Sequence, residues 1–393
     1  MFRACFLTLL MAGSATAQST AAPRLPGARP AIDAADHPSI QAAIDALGGQ
    51  GGIVRLPAGE FEIARPLVIS ADDVRLEGCG TATHIKNQNT AGLPALVIRP
   101  KTAEQDRRAR IWRVSVANLL ISGNEQSGHG IDAYGVNEIL LDAVSVSHHG
   151  QDGIRLDSCY EDARVVDSLV TYNGRVGLHI LACHDIVVAA NQFEENQDAV
   201  HCADSFNLCM SGNNVDDHLR HGVVIENTYG SIVSSNMIEE CQGVGIILDR
   251  DAYGITLSAN TIAHEYSGGI DLRDSHGCVV SGNSFPIVRD HALAIGPASA
   301  RITVSGNVFS NTYQGNGQSK RQGDDDRASG IVLDGTQDIA ICGNTFAGLA
   351  TKALALVGQP SRRVTFTGNV LVEVDSDHAR LVDSVVSGNI ERE

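Results

Sequence analysis

A repeat of about 23 residues constrains this chain more than any other feature. Short units of the pattern small–apolar–x–apolar begin at Gly130, Gly153, Gly177, Ala199, Gly222, Gly245, Gly269, Ala292, Gly330 and Ala353. Their starts are spaced by 23, 24, 22, 23, 23, 24, 23, 38 and 23 residues. A second marker runs in step: Asn191, Asn213, Asn236, Asn260, Asn283, Asn307, Asn344, Asn369 and Asn389. A fixed period of this size means a solenoid, whose units bury their apolar residues against their neighbours. A leucine-rich repeat has a similar period but needs a leucine pattern that is absent here. Each unit instead holds two or three short period-2 strands and no helical stretch, which favours a β-helix coil. In each unit the two apolar residues should point inward and x outward. The marker Asn should sit at a corner, take the left-handed αL conformation and stack its amide on the next coil's.

The chain ahead of the repeat supports this. Pro38 to Leu47 reads as a short amphipathic helix, with Ile40, Ala43, Ile44 and Leu47 on one face and Gly48-Gly49 as its stop. Strands follow, with V-x-L-P-x-G-x-F over Val54–Phe61 and L-x-G-x-G-x-x-T-x-I over Leu76–Ile85. This succession resembles the N-terminal cap and first coils of the pectin-lyase-like superfamily, which are right-handed parallel β-helices. The later coils resemble those of carbohydrate-binding and sugar-hydrolase β-helices, NosD-type periplasmic proteins included. The resemblance covers residues 38–389 and is specific for fold rather than activity. It implies an all-β, single-stranded right-handed parallel β-helix over residues 38–393 with a short N-terminal capping helix. Residues 87–110 read as a loop-rich excursion with a basic cluster at Arg107, Arg108 and Arg110. The single 38-residue spacing holds a polar, Gly-rich insertion over residues 310–328, either a substrate loop or a tolerated surface insertion.

The chain has 393 residues and a formal net charge of −17, which argues against nucleic acid or an anionic membrane as a partner. Residues 1–17 read as a secretory signal: Arg3, an apolar stretch from Ala4 to Gly13, and Ala15-Thr16-Ala17 as cleavage site. Residues 18–37 read as a leader. With no later apolar run long enough to span a bilayer, the expected location is periplasmic or secreted. Nine cysteines become eight without Cys5, and no zinc-like spacing occurs. Cys159 and Cys183 hold equivalent places in adjacent coils, about 4.8 Å apart, within disulfide reach. A stack of free buried thiols is the preferred reading.

The functional signal lies in the outward positions. Coil by coil, x is Asp132, Arg155, His179, His201, Val224, Ile247, Asp271, Ala294, Val332 and Ala355. Titratable groups concentrate in the first four. One outward histidine is commonly a mere surface residue; two in register beside Arg155, with Asp152 and Asp198 at the turns, point to a groove for an extended polymer. His179, His201, Arg155, Asp198 and Asp152 are the candidate catalytic residues. Arg175, His218, Tyr160, Asp204 and Asp157 are candidate substrate contacts. His148-His149 reads as surface, and no metal-ligand set is assigned, although Asp216-Asp217 and Asp324–Asp326 could bind Ca²⁺. The apolar x residues Val224, Ile247 and Val332 would mark a self-association face of a homo-oligomer or the seat of a loop.

Uronic-acid β-elimination or C5-epimerisation suits this column. It needs a cation for the developing enolate (Arg155 or Arg175), a base (His179 or His201) and an acid (another His, or Tyr160). The four lysines lie elsewhere in the sequence, which argues against a lysine base. The reading is thus an exported enzyme acting on an acidic polysaccharide or oligosaccharide. One rival is a glycoside hydrolase pairing Asp152 with Asp198, or Asp198 with Asp204; the first pair, two coils apart, would be separated by roughly 9–10 Å. The other is a non-catalytic carbohydrate-binding or NosD-like periplasmic β-helix. The polygalacturonase motif set and the D-P-H signature of mannuronan epimerases are absent.

Overall fold

A computed structural model describes residues 25–311 and 328–392. The signal-peptide reading and most of the insertion, with Asp324–Asp326, lie outside the described residues. The described chain winds as a parallel β-solenoid. One face is a sheet of 12 strands that starts at Leu67–Ile69 and ends at Leu354–Val357. Most of the other strands join in a 30-stranded sheet that wraps the remaining faces, and Ile111–Trp112 pairs separately with Val136–Asn137. The β-helix expected from the repeat is the observed fold.

The register of the 12-stranded sheet carries the functional argument. Asp132, Arg155, His179, His201, Val224, Ile247, Asp271, Ala294, Val332 and Ala355 are successive Cα partners. The apolar residues on either side of each x point into one continuous core, as Leu178 and Ile180 do beside His179. Phe285, Phe309 and Phe346 stack inside it with centroids 4.7 Å apart.

The asparagine ladder forms, but its backbone differs from the expectation. The marker asparagines are not left-handed. The residue before each one is, as at Ala190 (φ 57°), Gly212 (φ 66°), Ser235 (φ 57°) and Ala259 (φ 54°). That residue makes the corner, which frees the Asn side chain to turn inward. Asn191 Nδ2 then donates to Asn213 Oδ1 at 3.0 Å, Asn213 to Asn236 at 2.9 Å, and so on to Asn389. Each Oδ1 also accepts the preceding Asn backbone N–H, so the buried amides are satisfied. The link from Asn307 to Asn344, at 3.0 Å, spans the insertion, so the ladder is continuous there.

The capping helix runs over Ile40–Asp45, with the Ser39 side chain accepting from Ala42 N–H. Gln41 brackets Val68, accepting its N–H at 2.7 Å and donating to its carbonyl at 3.2 Å. This occupies the exposed edge of the first strand of the functional sheet. Ala31–Asp33 pairs with Ile53–Arg55, so the stretch read as leader supplies the solenoid's first strand. All eight described cysteines are free; Cys159 and Cys183 are fully buried, and burial pushes the Cys183 thiol well up.

Two apolar x residues are not exposed as expected. Val224 and Ile247 are buried, packing with Val244 into a small cluster on the outside of the sheet. Adjacent large side chains in register cover one another there, which removes these two from any self-association face.

Candidate active site

The site is built from two columns rather than one. In strands such as Val176–Leu181 and Asp198–Ala203, pairing joins Val176 to Asp198 and Leu178 to Val200 but skips Gly177 and Ala199. A Cβ on Gly177 would lie 2.7 Å from the Ala199 carbonyl oxygen, so the strand can bend there only with a very small residue. The bend puts the residue three before x on the same outer face as x. Simple alternation would have put it inside. This flanking column reads His129, Asp152, Val176, Asp198, His221 and Val244.

Asp152 is the anchor. It is 1% exposed, and its Oδ2 lies 3.1 Å from His179 Nδ1 and 3.4 Å from His129 Nδ1. Val176 N–H donates to its Oδ1 at 3.2 Å, and Arg175 Nε stands 3.8 Å away. Burial alone would raise this carboxyl; the His179 hydrogen bond, the neighbouring imidazoles and the Val176 N–H outweigh it and hold it below the usual carboxylate range. The backbone N–H of Asp152 donates to His129 Nδ1 at 3.2 Å, so that nitrogen is an acceptor. Burial lowers the His129 pKa, which keeps that ring neutral. An ionised Asp152 can only accept, so His179 must donate through Nδ1. Its Nε2 then carries the lone pair, with no partner among the described residues, and the ring stays partly exposed.

His201 stacks on His179, centroids 5.2 Å apart and planes 14° apart. Its Nε2 meets Glu226 Oε2 at 3.2 Å, and Arg250 Nη1 holds the same oxygen at 2.9 Å. Arg155 is committed on both sides, to Asp132 at 3.3 Å and Asp157 at 2.6 Å. Arg175, 54% exposed, is held only loosely, by the 3.8 Å contact with Asp152.

The remaining predicted residues divide. Asp198 is fully buried, with Arg220 bound across both carboxylate oxygens and the His221 N–H donating to it at 3.0 Å. Asp204 is half-buried and tied to Asn227 at 2.7 Å, with Arg250 3.6 Å away. Asp157 ends its strand and Tyr160 follows three residues later; both line a separate pocket. His218 does not line the groove: it is fully buried, its Nδ1 facing the Asn196 carbonyl at 3.2 Å, and burial drives its pKa down to about 4. His149, read as surface, is also buried with a pKa near 4. Both occupy the inward turn column that holds Asn173 and Asn196 in the coils between them. Two partners escaped the sequence reading, His129 on Asp152 and Glu226 on His201. The sequence signal for His129 was its place three residues before Asp132.

A cleft of about 800 Å³ does not contain this chemistry. It lies around the turn, lined by His84, His148, Tyr172 and Leu219 among others, and adjoins the column at Gly174, next to Arg175. The column is preferred as the reactive site because it holds the oriented imidazole.

Residues 173–325 match the family model described as periplasmic copper-binding protein (NosD), a span that includes His179 and His201. No curated protein sequence matches the chain. Among solved structures, it is similar to DFA-IIIase from Arthrobacter chlorophenolicus A6 with TM-score 0.60 and 12% identity, covering 84% of this chain and 99% of that one. The A-module of the Azotobacter vinelandii mannuronan C-5 epimerase AlgE6 gives TM-score 0.52 and 15% identity, covering 92% and 99%. Tailspike protein 3 of bacteriophage CBA120 gives 0.55 and 12%, covering 91% of this chain and 61% of that one. The chain is a parallel β-helix of the right-handed kind the repeat resembled. At these identities the structural likeness is one of fold.

Copper does not fit the donors present. The described clusters able to hold an ion are Glu239–Glu240–His264, Asp251–Asp274–His276 and Asp216–Asp217–Glu240. These are oxygen-rich sets with at most one imidazole, suited to hard cations; none joins a thiolate or thioether to histidine as copper prefers. No helix among the described residues is long and apolar enough to cross a membrane.

Proposed function

We propose that this chain is an exported carbohydrate-active enzyme that acts on an acidic, uronic-acid polysaccharide by β-elimination or C5-epimerisation. One observation carries the reading: buried, ionised Asp152 holds His179 by Nδ1, leaving a basic Nε2 on the sheet's outer face. An aspartate behind an imidazole fixes its tautomer and stabilises the imidazolium formed when it takes a proton. The C5 proton of a uronate is acidified by the adjacent carboxylate. His179 Nε2 removes it, and the electron pair moves into the carboxylate as an enolate-like species. Arg175, the exposed cation beside Asp152, neutralises that charge. The pair then either expels the C4 oxygen, which takes a proton, or recaptures a proton at C5 on the opposite face. His201, stacked beside His179 on the same face of the sheet, is placed to protonate the departing oxygen; the opposite-face proton of an epimerisation comes from solvent.

Hydrolysis is less well supported. It requires two carboxyl groups facing one bond, whereas Asp152 and Asp198 are both buried and already paired. The fold is compatible with the chemistry, since a similar structure is a mannuronan C-5 epimerase module. A location outside the cytoplasm accords with the match to a periplasmic family.

The test is a panel of uronic and neutral polysaccharides offered to the wild type and to the double variant His179→Ala, His201→Ala. A lyase produces ultraviolet absorbance from the unsaturated sugar; an epimerase incorporates solvent deuterium at C5 without it. Both signals should vanish in the double variant. New reducing ends without either signal, or binding with no turnover, would overturn the proposal.

A further inference from the structure

The excursion between the strands Leu96–Ile98 and Ile111–Trp112 has a consequence of its own. It folds along the solenoid axis over the ends of the next two strands of the functional sheet. With them it encloses a pocket of about 680 Å³ lined by Arg99, Arg107, Arg110, Tyr134, Asp157 and Tyr160, among others. In a chain of net charge −17, three guanidinium groups meet here.

Their partners are unequal. Arg99 pairs with Glu104 at 3.3 Å. Asp157, the other carboxylate of the wall, is taken by Arg155 at 2.6 Å and by the Ser158 hydroxyl at 2.9 Å. Arg107 and Arg110 have no carboxylate partner among the described residues. Arg110 is nonetheless fixed: its Nη1 donates to the carbonyls of Arg107 and Ala109, both at 2.9 Å, and its guanidinium lies 5.1 Å from the Tyr160 ring centroid. Tyr134 donates its hydroxyl to the Arg107 carbonyl at 3.2 Å. A Cβ at Gly135 would stand 3.0 Å from the Ala109 carbonyl and 3.4 Å from Arg110 Nη1, so the loop seats on a position without a side chain. The Arg110 guanidinium, held in place without a counter-ion, and that of Arg107 on the same pocket wall, next to two tyrosines, form a receptor for a planar anion on a sugar ring.

The pocket adjoins the reactive column. Asp157 bounds it and binds Arg155, whose Cα partner in the next coil is His179. Two residues along a strand span about 7 Å. We propose that this pocket is a carboxylate subsite: Arg107 and Arg110 bind the carboxylate of a uronic-acid unit that does not react, with Tyr134 and Tyr160 against its ring. This rests on the proposed function for the identity of the sugar, and it makes the excursion the element that selects acidic over neutral polymers.

Binding separates this inference from the catalytic one. A uronic-acid trisaccharide, its methyl ester, a neutral trisaccharide and a sulfated neutral trisaccharide are titrated by calorimetry into the full chain carrying His179→Ala. Expected is tight binding of the uronate, at least ten-fold weaker binding of the other three, and a ten-fold or greater loss for the uronate when Arg107→Ala and Arg110→Ala are added. Arg107→Ala alone keeps the backbone carbonyl that Arg110 and Tyr134 use, so it should keep the melting temperature and still weaken binding several-fold. Equal binding of uronate and methyl ester, tighter binding of the sulfated sugar, or unchanged uronate affinity in the double arginine variant would each overturn the subsite. Loss of uronate affinity in that variant supports it even where no polymer is turned over.

Discussion

Two aspartate–histidine clusters sit on the same face of the same sheet, and they are built in opposite orders. In the first, the carboxylate of Asp152 lies in the buried flanking column and the imidazole of His179 in the outer one. In the second the order is inverted. Asp271 takes the outer position, and His291 holds it from the flanking column of the next coil, Nε2 to Oδ1 at 2.5 Å. Arg273 occupies the same aspartate at 3.0 Å, and the His291 ring lies over Gly268. Between the clusters runs the apolar ridge of Val224, Val244 and Ile247. The residue types match, but the first cluster binds its aspartate through Nδ1 and leaves Nε2 outward, whereas the second spends Nε2 on an aspartate that Arg273 also holds. Position relative to the bend in the strand, more than composition, decides which pair can accept a substrate proton.

The most forceful way to break this comparison is to delete each imidazole. His179→Ala should cut kcat on a uronic polymer about 10³-fold, the scale of a lost general base. His291→Ala should leave it within about two-fold, outside that scale. Equal losses would erase the distinction. Exchanging the carboxylates sharpens it further. Asp152→Asn should lower kcat by about 10²-fold with little change in KM, because an amide permits the wrong His179 tautomer. Asp271→Asn should leave turnover unchanged while lowering the melting temperature.

Buried histidines supply a control of another kind. His218 has a folded pKa of about 4 against an ordinary 6.5. Between those values the unfolded chain binds a proton there and the folded chain does not, so stability falls as pH drops from 6.5 toward 4. This amounts to about 3 kcal/mol across the window. His218→Asn, which continues the amide column from Asn196, should flatten that part of the stability–pH curve in denaturant titrations and leave turnover at neutral pH intact. The smallest effect belongs to the ridge: Ile247→Ala should cost about 2 kcal/mol of stability and nothing in turnover, as measured by urea unfolding and initial rates.

The sequence made the repeat, the inward stack, the Asn ladder and the outer column legible because each depends on period alone. Register then placed Arg155, His179 and His201 in one line without further information. Where the backbone departs from alternation, the reading stopped. The bend at Gly177 and its equivalents brings Asp152 and His129 onto the outer face, and a period-2 pattern assigns them inward. The same limit hid His149 and His218, whose turn positions carry no strand periodicity and which proved to be buried. Glu265 is the extreme case. It is fully buried one coil on from Cys241, neither carboxylate oxygen has a hydrogen-bond partner among the described residues, and burial raises its pKa well above the usual range. Nothing in the residue type announces that environment. Tyr160 was grouped with the histidines by nearness in sequence, but the end of its strand carries it into the arginine pocket.

The most direct test of the central claim is a crystal structure of the His179→Ala variant with a bound uronic oligosaccharide. The expected sugar lies along the outer column between Asp132 and His201, with a reacting carboxylate toward Arg175 and its C5–H directed at the space left by the missing imidazole. A sugar seated instead in the cleft beside Tyr172 and Leu219, or across Asp271 and His291, would contradict it.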